Sequence, residues 1–582
     1  MPASRLKVAI LVTAISAGAC FADGQGAVGV VTQQGGVSTG TGFSDSMLKA
    51  TVHGVVLDRV TKQPIARALV DGAFDAVLTD SEGRFELTLP VGVANIQVRR
   101  PGYGSRNGEQ QLIHVSFAAP ALTLYLTPSA GVSGQVSLKG DDDPTMIRIA
   151  AYRKGVNGGH EMWRQTEIAT PESDGTFRFP MLDAPGSYIF CTSAISEPGT
   201  RNGKRMGFPS KCFPGGTDFL AATPLELAAG QKAQIDMDLE PQPFYAVTIS
   251  VPSTDRMPGI QIYERSGFRV PSPRILSRAP GTMEFQLPNG SYYADARLRG
   301  AEQAYGRVDF TVANRPLELS IPLVPLRPVP VVIHKDFTED ANTNTNPQGL
   351  VRLDGVGEGN PGFQLTLQAA GRVPGGGGFG GAMRHVDGGG PDAFEVEAEP
   401  GRWRMQVFSL VGYVSSITSG GVDLLRDPLV IGAGSIAQPI EVTMRNDGGK
   451  IECRLMGASP ADATQAGATA GGSGDGFEGG AVSYEVVAIA QFPAATQIQI
   501  ASVSGEMGQP VTIANLAPGD YRVAAFDRRP EIDLDDKEQV AHKMAAAQLV
   551  HVQANGTATA QVTLTKLGGG LDDGMTGAGA EQ

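Results

Sequence analysis

Seven histidines, His53, His114, His160, His334, His385, His542 and His551, are available to hold a metal or move a proton. A zinc hydrolase needs fixed nitrogen and oxygen ligands with one position open for water, commonly a His with a Glu three residues on and a distant second His. None of the seven has Glu at +3, and none has another His at +4. His160-Glu161 is an isolated neighbour pair and reads as a solvated loop. Gly36-Val37-Ser38-Thr39-Gly40 matches the G-x-S-x-G pattern of a serine nucleophile, but that serine works only in a strained turn between a buried strand and a helix. Here it lies in a Gly-, Ser- and Thr-rich stretch with no periodicity. No P-loop occurs, and no dinucleotide fingerprint sits between a strand and a helix. The chain spells no catalytic site, so an enzyme would need residues scattered through the fold.

Non-catalytic binding leaves three groups of candidates. Calcium is the remaining ionic cofactor, and Asp141-Asp142-Asp143 and Asp533-Leu534-Asp535-Asp536 are the clearest carboxylate clusters. Neither has the spaced oxygens and turn glycine of a calcium loop, so a solvated turn and a helix N-terminus are the better readings, and no cofactor is expected. Sugar recognition relies on flat aromatics exposed for stacking. The chain has two tryptophans. Trp403 reads as core, while Trp163, with Tyr152 nearby, is the candidate for ligand stacking. Cys191 and Cys212 stand 21 residues apart, each near a strand end, and an oxidising compartment would pair them. Cys453, in Ile451-Glu452-Cys453-Arg454-Leu455, reads as a buried strand residue.

The elements that position these residues follow from a repeat. Pro185-Gly186-Ser187-Tyr188, Asn289-Gly290-Ser291-Tyr292, Pro400-Gly401-Arg402-Trp403 and Pro518-Gly519-Asp520-Tyr521 each place an aromatic two residues after a turn glycine, and Pro90-Val91-Gly92-Val93 is a weaker first copy. The glycines are separated by 94, 104, 111 and 118 residues, about the length of a small β-sandwich. Pro presets φ, Gly accepts positive φ, and the aromatic opens a strand whose inward face it helps to bury. With 582 residues, 18% charged and 76 of them glycine, the composition suits short strands joined by many turns. One helix is expected, over 535–547, between the last two long strands.

Within the first repeat, Gly54-Val55-Val56-Leu57-Asp58, Thr61, Pro64-Ile65, Ala68, Thr79-Asp80, Gly83, Phe85 and Gly102-Tyr103 are spaced as in the carboxypeptidase regulatory-like domain, which this segment resembles. The resemblance implies a transthyretin-like β-sandwich over about 80 residues. Ser173-Asp174-Gly175-Thr176-Phe177 and Pro280-Gly281-Thr282-Met283-Glu284-Phe285 repeat the grammar in diluted form. Together the repeats resemble bacterial secreted proteins that chain regulatory-like and carbohydrate-binding-like sandwiches.

The expected fold is therefore all-β, about five tandem transthyretin-like or Ig-like sandwiches in a string. Expected boundaries are a signal peptide at 1–22, a flexible linker at 23–46, the regulatory-like domain at 47–128, sandwiches at 129–241, 242–325, 326–445 and 446–567, and a disordered tail at 568–582. The fourth and fifth sandwiches carry the Gly-rich insertions Gly371 to Pro391 and Gly457 to Gly480, too poor in apolar side chains to offset their ordering entropy.

Arg5 and Lys7, the apolar run Val8 to Ala17 and the small residues after it have the layout of a secretory signal. Ala17-Gly18-Ala19-Cys20 also resembles a bacterial lipobox, although Ala17 stands where an aliphatic is usual. Plain secretion is favoured over a lipid anchor at Cys20. No later segment is apolar for long enough to span a membrane as a helix. A formal charge of −13 would repel a phosphate backbone, which argues against nucleic acid as a partner. The expected function is that of a non-catalytic exported binding or structural protein of the cell envelope or extracellular space. Its partner is a cell-surface component, a polysaccharide or a protein, with carbohydrate binding as the alternative role.

Overall fold

The computed structural model describes residues 48–567 apart from short stretches, the longest being 339–362, 371–380, 387–392, 457–482 and 493–499. The signal segment with Cys20, the spacer with Ser38, Asp141, the Gly457 to Gly480 insertion, most of Gly371 to Pro391 and the tail lie outside the described residues. Ten sheets account for the described strands, and one described α-helix, Lys537–Lys543, lies between the strands Gly519–Phe526 and Gln548–Val552. Asp536 caps it by accepting from Gln539 N, so the acidic start does the work of an N-cap.

One topology occurs five times. Each module opens with a strand that pairs antiparallel with the strand before the repeated turn and parallel with a closing strand. The three-stranded arrays run Arg84–Pro90, Lys49–Asp58, Leu122–Leu126, then Thr176–Leu182, Ala130–Leu138, Lys232–Leu239. They continue with Thr282–Pro288, Gln242–Ser250, Leu317–Ser320, then Ala393–Val396, Val329–Asp336, Ile440–Arg445, and finally Val511–Leu516, Gly449–Leu455, Thr557–Val562. The second module's closing strand buries every second residue, Ile235, Met237 and Leu239, which is the pleat period of a sheet with one face inward. A second sheet covers each array, and five separate apolar cores fill the sandwiches.

The repeated aromatic closes a corner in four modules. Tyr188 Oη donates to Asp183 O at 2.7 Å, Tyr292 Oη to Pro288 O at 3.2 Å, Trp403 Nε1 to Glu399 O at 2.9 Å and Tyr521 Oη to Ala517 O at 2.7 Å. All four rings are buried. The polar tip of each thus satisfies a carbonyl just upstream of its own turn, the arrangement of a tyrosine corner.

In the first module the residues that carry the family resemblance are tied to one another. Asp58 Oδ1 accepts from Val60 N and Thr61 N, and its Oδ2 from Tyr103 Oη at 3.1 Å. Thr79 Oγ1 donates to Ile65 O and accepts from Ala68 N. Asp80 Oδ1 accepts from Glu82 N and Arg84 N, while Gly83 at φ 73° sits where a Cβ would lie 2.7 Å from Val56 O. Their spacing therefore serves loop geometry, as turn chemistry expects.

Two features are not visible in the repeat. The hairpin Ile195–Arg201 and Lys204–Phe208, which follows the second corner, pairs with Gln242–Ser250 and so belongs to the sheet of the third module. Modules distant in sequence also touch, the second meeting the fourth and the fifth.

Candidate functional site at the module junctions

Sheets in the second, third and fifth modules are used on both faces. Along Ile149–Asn157 and Gly186–Thr192, Ile149, Ala151, Tyr188 and Phe190 point into the sandwich, while Ala150, Tyr152, Ile189 and Cys191 point out, as strand alternation requires. The outward set is nonetheless buried, together with Trp163, Cys212, Phe219, Ala222 and Phe268. Phe268 comes from the third module. Phe219 stacks on it with ring centroids 4.9 Å apart and planes 9° off parallel, and meets Tyr152 and Trp163 edge-on at 5.2 and 5.7 Å.

This junction contains all four candidate site residues. Cys191 and Cys212 are bonded, lie opposite each other in the ladder and are buried. Trp163 is 7% and Tyr152 3% exposed, and burial pushes the Tyr152 phenol well above its ordinary range. With so little surface open, neither ring presents a face to a pyranose, and both pack within the junction cluster. Sequence spacing brought Tyr152 and Trp163 to notice but missed Phe219 and Phe268. The available signal was the unbroken apolar run Tyr188-Ile189-Phe190-Cys191, which marks a strand buried on both faces.

The third module meets the fourth through polar groups. On the outer face of its sheet Tyr263 stacks on Tyr293 with centroids 4.9 Å apart, and the Arg307 guanidinium lies 3.5 Å above the Tyr293 ring. Tyr305 Oη donates to Asp295 Oδ1 at 2.8 Å. Arg297 Nε lies 2.8 Å from Glu399 Oε1, an ion-pair contact across the junction, and Gln303 Nε2 donates to Glu397. Burial raises the Asp295 carboxyl, opposed by the bond from Tyr305 and by Arg307 and Arg297.

The second, fourth and fifth modules converge on His160. Its Nδ1 lies 3.0 Å from Asp535 Oδ2, and its Nε2 lies 3.0 Å from Arg404 Nη1. A guanidinium can only donate, so Nε2 is the accepting nitrogen and Nδ1 is the one that faces Asp535. Arg404 Nη2 also donates to Asp535 Oδ2 at 3.2 Å. Leu534 N donates to Gly159 O, and Arg153 pairs with Glu531 at 2.8 Å. His160, Asp533 and Asp535 are the group of possible metal ligands among the described residues. Arg404 already supplies the positive charge there, and Asp533, 3% exposed, accepts from Asp535 N. Together with Arg404 these groups form a salt-bridged clasp. His160 is thus tied down across modules, which the reading of His160-Glu161 as a solvated loop did not foresee.

The other polar candidates serve local structure. Asp143 caps the short 3-10 turn Pro144–Met146 by accepting from Thr145 N. His53, His334 and His551 pair with Glu86, Glu441 and Asp520 on exposed strand faces. Cys453 is buried in the fifth core, and burial pushes its thiol up to about 12, which keeps it protonated and inert.

No family model matches the chain, and no curated protein matches it. Among solved structures it is similar to the TIE protein of Bacillus anthracis, at 14% identity over 47% of this chain and 51% of that one, with a TM-score of 0.15. It is also similar to a streptococcal ancillary pilin, at 12% identity over 48% of this chain and 100% of that one, with a TM-score of 0.16. A third is BcpA, the major pilin subunit of Bacillus cereus, at 9% identity over 47% and 99% with a TM-score of 0.14. The matched region spans about half the length of the first of these. Among the described residues no helix is long and apolar enough to cross a membrane.

Proposed function

We propose that this chain is a non-catalytic, exported scaffold of the cell envelope or extracellular space, in which five sandwiches are locked into a fixed arrangement that presents their remaining surfaces to a protein partner. The observation that carries this reading is the use of sheet outer faces at the junctions. Tyr152, Trp163, Phe219 and Phe268 bury an apolar face between modules, and His160, Arg404 and Asp535 are bonded to one another across three modules. Side chains whose types could bind or react are thereby committed to holding modules together. The disulfide supports an oxidising destination, and the charge and apolar layout of residues 1–22 supports export.

The test is fractionation of bacteria expressing the full chain, with and without residues 1–22. The intact chain is expected in the envelope or medium with its bridge formed, and the truncated one in the cytoplasm. Cytoplasmic retention of the intact chain would refute export, and robust peptidase or glycosidase turnover by the purified protein would refute the scaffold.

A further inference from the structure

We propose that the Cys191–Cys212 bridge is a latch which fixes the second module against the third through Phe219, and that its closure sets the orientation of two modules instead of holding the second sandwich together. The bridge lies on the outer face of the sheet. The sandwich core on the other face, with Ile149, Tyr188, Phe190, Phe208 and Ile235, is continuous without either cysteine.

What the bridge does reach is Phe219. Hydrogen bonds from Ser210 Oγ to Thr192 O and from Lys211 N to Thr192 Oγ1 hold the ladder on the N-terminal side of Cys212. Past it the strand Cys212–Phe213 ends after two residues, and the next pairing is Leu225–Leu227 on Gly186–Thr192. Between these anchors the 3-10 turn Phe219–Ala221 delivers the Phe219 ring into the junction, where it is fully buried. Phe268 is the third module's side chain in that cluster, and its parallel stacking on Phe219 is the contact the latch controls. Without the covalent anchor the segment regains conformational entropy that the Phe219 contacts alone must offset. Closure takes two electrons and two protons from the two thiols. A disulfide oxidant accepts them and leaves as a dithiol, the chemistry of an oxidising compartment. The latch is read from the junction and stands whether or not the chain is exported.

Hydrogen–deuterium exchange on the full chain, read by mass spectrometry, tests it. In the Cys191→Ala, Cys212→Ala double variant, exchange should rise severalfold over 212–222 and, in the third module, over 262–270. The ladder Ala130–Leu138 with Lys232–Leu239 should keep its protection. Phe268→Ala with the bridge intact should reproduce the rise over 262–270. Unchanged exchange over 262–270 in the double variant would overturn the latch. So would loss of protection along Ala130–Leu138, because the bridge would then be holding the sandwich itself.

Discussion

The hydroxyl of Tyr521 donates to the carbonyl oxygen of Ala517 at 2.7 Å, and this single bond joins the start of a strand to the turn that launches it. Tyr521→Phe keeps the ring and removes the bond, which should lower the stability of the fifth module by about 1 kcal/mol. Tyr521→Ala also empties a buried site, at a cost of about 3–5 kcal/mol. Urea unfolding of the full chain, followed by exchange at 519–526, checks both. Equal effects of the two substitutions would show that the bond, and not the ring, dominates.

Gly134 lies in the parallel ladder opposite Ile235, and a Cβ there would stand 1.6 Å from the Ile235 carbonyl oxygen and 3.0 Å from the Phe177 ring. Gly54 occupies the same place in the first module, with Leu122 O at 2.6 Å and Phe85 at 2.5 Å. Gly134→Ala should therefore exceed the usual overpacking cost of about 1–3 kcal/mol and leave the second module unfolded or severely weakened. Thermal unfolding with a transition unchanged from the parent would contradict this close approach.

Asp447 accepts from Arg445 at 2.7 and 3.0 Å and from Tyr413 Oη at 3.0 Å. The Arg445 bonds, helped by Tyr413, hold its carboxyl below the ordinary carboxylate range against the opposing effect of burial. A depressed folded value stabilises above the ordinary value near about 4, and that contribution is lost as pH falls through the folded value. Asp447→Asn should thus weaken the protein at pH 7, and the difference from the parent should shrink on acidification below about pH 4. Denaturant titrations across that range measure it, and a difference that grows towards acid would reverse the sign.

Arg297 and Glu399 face each other in a junction where both side chains are largely buried. Arg297→Ala removes the guanidinium that faces the buried Glu399 carboxylate and should cost about 3–5 kcal/mol, more than Arg297→Ala combined with Glu399→Gln. A double-mutant cycle on the full chain separates the two. Strict additivity would mean that the modules meet without using this pair.

Arg404 reaches both His160 Nε2 and Asp535 Oδ2. Arg404→Ala should therefore disturb the His160 ring signals in long-range proton–nitrogen spectra, and unchanged signals would place Arg404 elsewhere.

The amino-acid sequence by itself determined the class and the punctuation. Alternating side chains, Asp80 and Asp174 in turns that end in Gly83 and Gly175, and an aromatic two residues after each corner glycine are local devices, and local devices can be read from spacing because their partners lie within a few residues. The Cys191–Cys212 pairing was legible for the same reason, the two residues standing in one module. Only the tertiary structure decided what Trp163, Tyr152, His160, Asp533 and Asp535 are for. Tyr152 meets Phe268, and His160 and Asp535 meet Arg404, in each case across modules and more than a hundred residues away. An outward-facing side chain on a sheet looks the same in sequence whether water or another module covers it.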